Sequence, residues 1–393
     1  MSIAKTFNRR DSLKTLAALG AAASAPLTFA QKPLTVGVIY VGPRDDYGYN
    51  QAHAENVALV KKMPGLKVVE EENVPETQAV QKSMQGMISQ DGAKLLFPTS
   101  FGYFDPYMLA LAAKDPSVRF SHCGGMWTEG KHPKNVGSFF GYIDECQYLN
   151  GVIAGHVTKS KKLGFIAAKP IPQVLRNINA FTMGARSVHP DITTTVIFTG
   201  DWSMPVKEAE ATNSLADQGV DVFTMHVDGP KVIVETAAKR GKMVCGYHAS
   251  QAKLAPNAYL TGAEWNWLTA YTSILEAARS GKPHPNFIRG GLKEGYVKMS
   301  SYGPMVPDAA KKMADDFFGR FTALVGERYA AERLADVHDH VELDRAVGEV
   351  GEGKFHFNLD IRKGAALYPL ADSFNKMRDR IGALLGSHKN LTN

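Results

Sequence analysis

Aromatic, amide, acidic and glycine residues lie directly after or near the ends of the predicted strands of this 393-residue chain. They are Tyr49 and Asn50 after the first strand, Phe101 and Gly102 after the third, Trp127 after the fourth, and Trp202, Asp228, Tyr247, His248 and Trp265 in the second half. A flat ring stacks on a planar solute, and amide or carboxylate groups read the edge of that solute. The pattern predicts a binding site for a small, flat, polar molecule. The alternative, for each ring, is packing beneath a loop.

Signals of catalysis are weaker. The sequence contains no G-x-S-x-G elbow, Walker loop, G-x-G-x-x-G turn or H-E-x-x-H helix. His122 precedes Cys123, but neighbouring strand residues point to opposite faces, which places His122 poorly as the base for a thiol nucleophile. The pair His338 and His340 would suit a metal ion, although a solvated helix end is the favoured interpretation. We expect a protein that is not an enzyme and that holds no metal or other cofactor.

The elements that must position these side chains alternate between short apolar strands and amphipathic helices. Leu34–Tyr40 is typical of a buried strand, and Pro172–Val188 of a helix that packs on a sheet. Such βαβ alternation predicts parallel sheets covered by helices on both faces, with ligands outside the carboxyl ends of the strands. The pattern restarts after Tyr142, which predicts two doubly wound α/β lobes with a central cleft.

The predicted boundaries follow from this pattern. We expect an N-terminal lobe over residues 31–142 and 268–300, a C-terminal lobe over 143–267, and a tail over 301–393 whose placement the pattern leaves open. Ala263–Trp267 is interpreted as a crossing between lobes. Two amphipathic helices are predicted in the tail, at Asp308–Leu324 and Leu370–Leu385.

Residues 1–30 are typical of a secretory leader. A basic start with Arg9 and Arg10 precedes an alanine-rich apolar run, and Ala30 offers a small residue for cleavage. The twin arginines resemble the signal for export after folding. The sequence therefore predicts a periplasmic protein, against the alternative of an amphipathic first helix in a cytosolic one.

Charge and cysteine content exclude some partners. The formal net charge is +6, of which the predicted leader carries three, so a modest +3 remains and gives no case for nucleic acid. The three cysteines Cys123, Cys146 and Cys245 are an odd number at wide spacing. One disulfide is conceivable, but three small core residues are the favoured interpretation.

Several stretches at and after the start of the predicted second lobe resemble the basic membrane protein family, the purine nucleoside receptor-type substrate-binding proteins of ABC importers. They are Phe140-Gly141-Tyr142, Tyr148-Leu149-Asn150-Gly151, Leu163-Gly164-Phe165-Ile166, Pro170-Ile171-Pro172 and Arg176-Asn177-Ile178-Asn179-Ala180-Phe181. The resemblance extends from Leu34 to about Pro285 and includes Tyr49-Asn50-Gln51, which is similar to the family's Phe-Asn-Gln. It implies the fold of type I periplasmic binding proteins, two lobes hinged by three crossings.

The resemblance also implies roles for single residues. Tyr49 and Trp202 match the aromatic residues that stack on a purine, and Asn50 matches the amide that reads the purine's edge. The helix that carries Arg176 begins near the cleft. We expect Arg176 either to contact the ligand or, equally, to tie two loops together. The expected mechanism is closure of the lobes on the ligand, followed by docking on a membrane permease.

Two departures from the family pattern bear on the ligand. Gly246-Tyr247-His248 stands where nucleoside-binding members have Gly-Val-Asp, and a lysine is replaced within Glu264-Trp265-Asn266-Trp267. An Asp and a Lys suit the hydroxyls of a ribose, so their loss favours a free nucleobase such as adenine, guanine or xanthine over a nucleoside. A periplasmic enzyme acting on nucleosides and a sensory binding protein are the rival classes.

Overall fold

The computed structural model describes residues 33–324 of the chain, and side chains within that range up to residue 319. Three predicted features lie outside the described residues: the leader over residues 1–30, the pair His338 and His340, and the helix Leu370–Leu385. Among the described helices, none is long and apolar enough to cross a lipid bilayer.

The first lobe is built on a six-stranded parallel sheet. Its strands, in the spatial order β11-β5-β4-β3-β1-β2, are β1 (Leu34–Ile39), β2 (Leu66–Glu71), β3 (Leu95–Pro98), β4 (Arg119–Cys123), β5 (Val136–Gly141) and β11 (Phe287–Gly290). Central strands carry buried apolar side chains on both faces, as the neighbours Val38 and Ile39 of β1 and Leu95 and Leu96 of β3 show, because helices cover both sides of the sheet.

The second lobe repeats this plan. Its strands, in the spatial order β12-β10-β9-β8-β6-β7, are β6 (Lys162–Ala167), β7 (Thr193–Phe198), β8 (Val222–His226), β9 (Met243–His248), β10 (Tyr259–Trp265) and β12 (Val297–Met299). All neighbours are parallel except β10 and β12, which are antiparallel. The prediction of an α/β chain with two doubly wound lobes is confirmed.

Helices connect the strands. In chain order they are α1 (Tyr49–Val60), α2 (Gln78–Ser89), α3 (Leu109–Lys114), α4 (Asp144–Val157), α5 (Pro172–Arg186), α6 (Pro205–Asp217), α7 (Lys231–Lys239), α8 (Leu268–Arg279) and α9 (Asp308–Leu324). Helix α5 begins with Pro172 in its first turn, where the missing N–H removes no intrahelical bond. Helices α4 and α5 pack closely because Gly151 of one and Gly184 of the other let the backbones approach.

The chain crosses between the lobes three times: after β5, after β10 and after β11. The prediction that Ala263–Trp267 forms a crossing was wrong for its first three residues, because β10 continues to Trp265 and pairs with both β9 and β12. Only beyond Trp265 does the chain reach the first lobe, where the ring of Trp267 stacks on His53 at 5.1 Å between ring centres.

The segment after β11 returns to the second lobe. Strand β12 joins the second sheet through the pairing of Met299 with Ala263, whereas the sequence pattern had grouped residues 268–300 with the first lobe. Helix α9, predicted over the same bounds, packs on α4, with Phe317 edge-on to Tyr148 at 5.3 Å between ring centres. The described start of the tail therefore belongs to the second lobe.

Candidate ligand-binding cleft

The carboxyl ends of the two sheets face one another and enclose a narrow cleft. Its lining residues are Tyr49, Ser100, Phe101, Cys123, Gly124, Phe140, Gln173, Trp202, His226, Asp228, His248 and Trp265. Both lobes contribute, and most of these side chains lie in or directly after a strand, where open α/β sheets bind their ligands. The free volume is about 40 Å³, close to the space that one water molecule occupies. The walls are thus drawn close together.

Direct hydrogen bonds join the lobes around this cleft. The backbone N–H of Tyr49 donates to the carbonyl oxygen of Asp228 at 2.9 Å. The Gln251 side chain donates to the Tyr47 carbonyl oxygen at 2.6 Å, and Gln173 donates to the carbonyl oxygen of Gly124 at 3.1 Å. The structure therefore has the lobes in a closed arrangement.

Tyr49 supplies an aromatic wall from the first lobe. It begins helix α1, and its hydroxyl donates to the Thr99 carbonyl oxygen at 2.5 Å, which fixes the ring in the cleft. The ring meets His53 and His248 edge-on, at 4.8 and 5.3 Å between ring centres. Burial raises the pKa of Tyr49 well above its usual range, so the hydroxyl stays protonated. What Tyr49 offers a ligand is its ring.

Trp202 lines the cleft from the second lobe, in the loop after β7. The Lys169 ammonium lies over the indole at 5.1 Å, and the His226 ring is 6.2 Å away at a tilt of 33°. The Trp202 carbonyl oxygen accepts from the Asp228 N–H at 2.7 Å, which ties the loop to the end of β8. Cation and backbone contacts hold Trp202 as the second aromatic wall.

The polar groups of the cleft include two histidines, His226 and His248, and the carboxyl group of Asp228. Burial and the positive charge of Arg176 lower the pKa of His226 to about 3, and burial together with the nearby His226 and His53 lowers the pKa of His248 well below its usual range. Burial and the like charges of Asp46 and Glu76 raise the pKa of Asp228 well above its usual range. Neutral imidazoles and a carboxyl that resists ionisation favour an uncharged ligand.

Six of the predicted site residues line the cleft together: Tyr49, Phe101, Trp202, Asp228, His248 and Trp265. Their meeting follows from the parallel strands, whose carboxyl ends share one edge of each sheet. Phe101, Trp127 and Arg176 also line a larger adjoining cavity of about 570 Å³, which reaches outward between the lobes.

Three predicted residues do not line either space. The Asn50 amide oxygen accepts from the Gly42 N–H at 3.2 Å, and its nitrogen donates to Asp46 at 2.8 Å. Both ends of the amide are therefore hydrogen-bonded within its own loop. The Gly102 N–H donates to Glu76 at 2.7 Å. Tyr247 is fully buried behind His226, and its hydroxyl accepts from the Asn177 amide at 2.6 Å. The ligand-reading role that the resemblance implies for Asn50 stays a prediction.

Arg176 makes the structural contacts considered for it, and its role as a ligand contact stays a prediction. Its Nε lies 3.4 Å from a carboxylate oxygen of Asp144, and its guanidinium lies 5.8 Å from the centre of the Tyr142 ring. These contacts join α5 to the start of α4 and the segment before it. The same side chain also borders the larger cavity, where Arg289 supplies a second guanidinium from the first lobe.

Sequence reasoning missed several lining residues. His226, the last residue of β8, is the first residue of the predicted loop 226–229 but was not selected as a site residue, and Gln173 follows Pro172 in the first turn of α5. Phe140 lies in β5, a strand that the apolar pattern did not reveal. A rule that includes the final residue of each strand and the first turn of each helix would have found His226 and Gln173.

The described residues offer little for catalysis. They contain no group of three or more His, Cys, Asp or Glu side chains that could hold a metal ion. Burial raises the pKa of Cys123 to about 12 and lowers that of His122 to about 4, so the thiolate is disfavoured. Cys123, Cys146 and Cys245 are all free and buried, which confirms the interpretation as core residues.

The model of the Bmp family, PnrA-like ABC transporter substrate-binding proteins, matches residues 34–317. The chain belongs to the Bmp family. Its relatives include a purine-binding protein of Brucella abortus, 37% identical over 289 residues, which are 73% of this chain and 80% of the relative. They also include a putative ABC transporter glucose-binding protein of Haloferax volcanii, 32% identical over 274 residues, which are 70% of this chain and 68% of the relative.

Solved structures of solute-binding proteins share the fold of this Bmp protein. One from Aeropyrum pernix K1 superimposes with a TM-score of 0.65 at 20% identity, covering 82% of this chain and 98% of the other. The architecture is that of the type I periplasmic binding proteins, as the resemblance implied. The chain is thus a substrate-binding protein of an ABC transporter, a class that binds small ligands and delivers them to a permease.

Proposed function

We propose that this chain binds a purine, with a free nucleobase as the favoured ligand, and delivers it to an ABC importer. The observation that carries the proposal is the pair of aromatic walls, Tyr49 from one lobe and Trp202 from the other, on a cleft whose polar groups include neutral histidines and Asp228. Stacking on a flat ring combined with hydrogen bonds to its edge is how proteins bind heterocycles. The Brucella relative's name supports the same ligand class.

The residue at position 248 favours a base over a nucleoside. His248 stands where nucleoside-binding members of the family carry an acidic residue, and it lines the cleft. An imidazole cannot accept from two ribose hydroxyls as a carboxylate does. A purine ring needs only flat walls and one or two edge contacts.

A purine nucleoside is the second candidate, and the adjoining cavity is the observation that favours it. The cavity shares Phe101, Gly124, Phe140 and Gln173 with the cleft and measures about 570 Å³. A base in the cleft with its sugar directed into this cavity would use both spaces.

Transport follows from closure of the lobes. The ligand contacts both walls, so it binds the closed form more tightly than the open one and shifts the population toward closure. The closed form then docks on the permease without chemical change to the ligand. Residues 1–30 direct export to the periplasm, by the twin-arginine route.

A thermal-shift screen of the exported protein tests the proposal. The full chain is expressed with its leader, purified from the periplasm, and its N terminus is determined by mass spectrometry. It is screened against adenine, guanine, hypoxanthine, xanthine, their nucleosides, pyrimidines, glucose and amino acids. A ligand present at about 100 times its dissociation constant stabilises the fold by roughly 2.7 kcal/mol.

Each outcome has a distinct meaning. Stabilisation by bases alone supports the favoured ligand, and stronger stabilisation by nucleosides supports the second candidate. Stabilisation by glucose alone, in line with the Haloferax relative's name, overturns the purine assignment. Release of free base from a nucleoside during incubation would instead indicate an enzyme.

A further inference from the structure

His248 occupies an unusual backbone conformation at the edge of the cleft. Its φ is +74°, in the left-handed region, which a histidine seldom adopts and which costs free energy for any residue with a Cβ. It is the last residue of β9, and its ring turns into the cleft beside Tyr49. Strain of this kind in a folded protein often marks a residue held for function.

Trp265 fixes which nitrogen of His248 carries the proton. The indole Nε1–H of Trp265 lies 2.7 Å from Nδ1 of His248. An indole N–H only donates, so Nδ1 must accept and must carry no proton. Burial and the neighbouring His226 and His53 keep the ring neutral by lowering its pKa. The single imidazole proton therefore resides on Nε2.

That proton has no acceptor among the described residues. Nε2 of His248 is buried, and no side chain or carbonyl group forms a hydrogen bond with it. The Val227 backbone raises the pKa of this ring slightly against the larger lowering by burial, but it forms no hydrogen bond with Nε2. A buried hydrogen-bond donor without a partner costs free energy of folding. In the wall of a cleft, a ligand can supply the missing acceptor.

We infer that His248 Nε2–H donates to an acceptor on the bound purine, an unprotonated ring nitrogen or a carbonyl oxygen, and that Trp265 acts as the positioning residue. The inference rests on the proposed function for the ligand class. His248 would be a hydrogen-bond donor where an acidic residue at this position would be an acceptor. A fixed donor selects heterocycles with an acceptor on the edge that faces His248, and it rejects those that present an N–H or NH₂ group there.

Ligands with altered acceptors test the inference. Binding of adenine is compared by titration calorimetry with that of its 1-, 3- and 7-deaza analogues, each of which replaces one ring nitrogen by C–H. Binding of hypoxanthine is compared with that of unsubstituted purine, which lacks the exocyclic oxygen and has an acceptor in place of N–H at N1. The wild-type protein is expected to bind one of these analogues roughly tenfold or more weakly than the parent base, because the His248 donor is then left unpaired.

His248→Phe is the matched variant, since it keeps a ring and removes the donor. It is expected to bind the parent base more weakly and to lose no further affinity for the critical analogue. Trp265→Phe keeps an aromatic ring in the wall but removes the donor to Nδ1 of His248. It should reduce the difference in affinity between the parent base and the critical analogue. Circular dichroism and thermal unfolding check that each variant is folded.

Nitrogen-15 spectra of the histidines give a readout independent of affinity. We expect Nε2 of His248 to be protonated and Nδ1 unprotonated in wild type, and a mixture of tautomers in Trp265→Phe. A protonated Nδ1 in wild type overturns the inference. The inference is also overturned if every analogue loses as much affinity, relative to the parent base, in His248→Phe as in wild type. Failure of all purines to bind overturns the proposed function as well, whereas purine binding without this coupling overturns the inference alone.

Discussion

The backbone N–H of Tyr49 lies 2.9 Å from the carbonyl oxygen of Asp228, and this hydrogen bond joins the start of helix α1 to the loop after β8. The two residues belong to opposite lobes. The contact forms only when the lobes are closed, so it couples the position of the aromatic wall Tyr49 to closure. Gly48, the residue before Tyr49, lies against the same carbonyl oxygen.

Gly48→Ala should weaken ligand binding by preventing full closure. A Cβ at this position would overlap the Asp228 carbonyl oxygen and lie 2.5 Å from the Pro230 side chain. We expect a loss of at least tenfold in affinity for the ligand found in the thermal-shift screen, measured by calorimetry. Small-angle X-ray scattering with ligand should show a more open average shape. Gly86→Ala, where the added Cβ meets nothing within 4 Å, is the control; equal affinity for both variants contradicts the closure argument.

Trp202→Ala should cost more affinity than Trp202→Phe. The indole is the aromatic wall of the second lobe, and loss of a stacked ring costs about 1–3 kcal/mol, roughly 5- to 150-fold in affinity. Phenylalanine keeps a flat face and should retain most of the binding. Calorimetric titration measures both variants. If alanine and phenylalanine bind alike, the ring at this position does not stack on the ligand.

His53→Gln should flatten the fall of stability in acid. Burial lowers the pKa of His53 to about 3 from an ordinary value of 6.5, so between these pH values the unfolded chain binds one proton more than the folded chain. The free energy of unfolding therefore falls as pH falls from about 6.5, by up to about 1.4 kcal/mol per pH unit for each such histidine.

Urea denaturation at pH 7, 6, 5 and 4.5 measures this slope. His53→Gln should reduce it by up to one proton relative to wild type. The exchange also removes the hydrogen bond between His53 and the Tyr271 hydroxyl, so a lower stability at pH 7 is expected and does not bear on the slope. His189→Gln, at an exposed histidine, is the matched control and should keep the larger slope. An unchanged slope in His53→Gln would show that this ring is protonated in the folded protein.

Gly184→Ala should destabilise the second lobe. A Cβ on Gly184 would overlap the carbonyl oxygen of Tyr148 in the facing helix α4, and backbone cannot yield as a flexible side chain can. We expect a loss of about 1–3 kcal/mol in the free energy of unfolding, as for other overpacked cores. Gly86→Ala, in the middle of α2 with open space around it, should instead leave stability unchanged or raise it slightly. Chemical denaturation compares the two.

The sequence by itself determined the class of fold and much of the cleft. Strands such as Leu34–Ile39 are continuous apolar runs because both faces of a parallel sheet are buried, and this local property is visible in one dimension. The rule that ligands bind at the carboxyl ends of such strands then pointed to Tyr49, Trp202, Asp228 and His248. Periodicity also predicted α9 with its observed bounds.

Tertiary structure decided the roles within the cleft. The Asn50 amide is hydrogen-bonded to Asp46, only four residues away. The conformation of the loop, and not its composition, turns the amide toward Asp46 and away from the cleft. Trp265 meets His248 because β9 and β10 are neighbours in register, with Glu264 opposite His248. The tautomer of His248 depends on that one contact between residues 17 positions apart. Local patterns reveal which faces are apolar, whereas hydrogen-bond partners are chosen by the packing of distant segments, which no local pattern specifies.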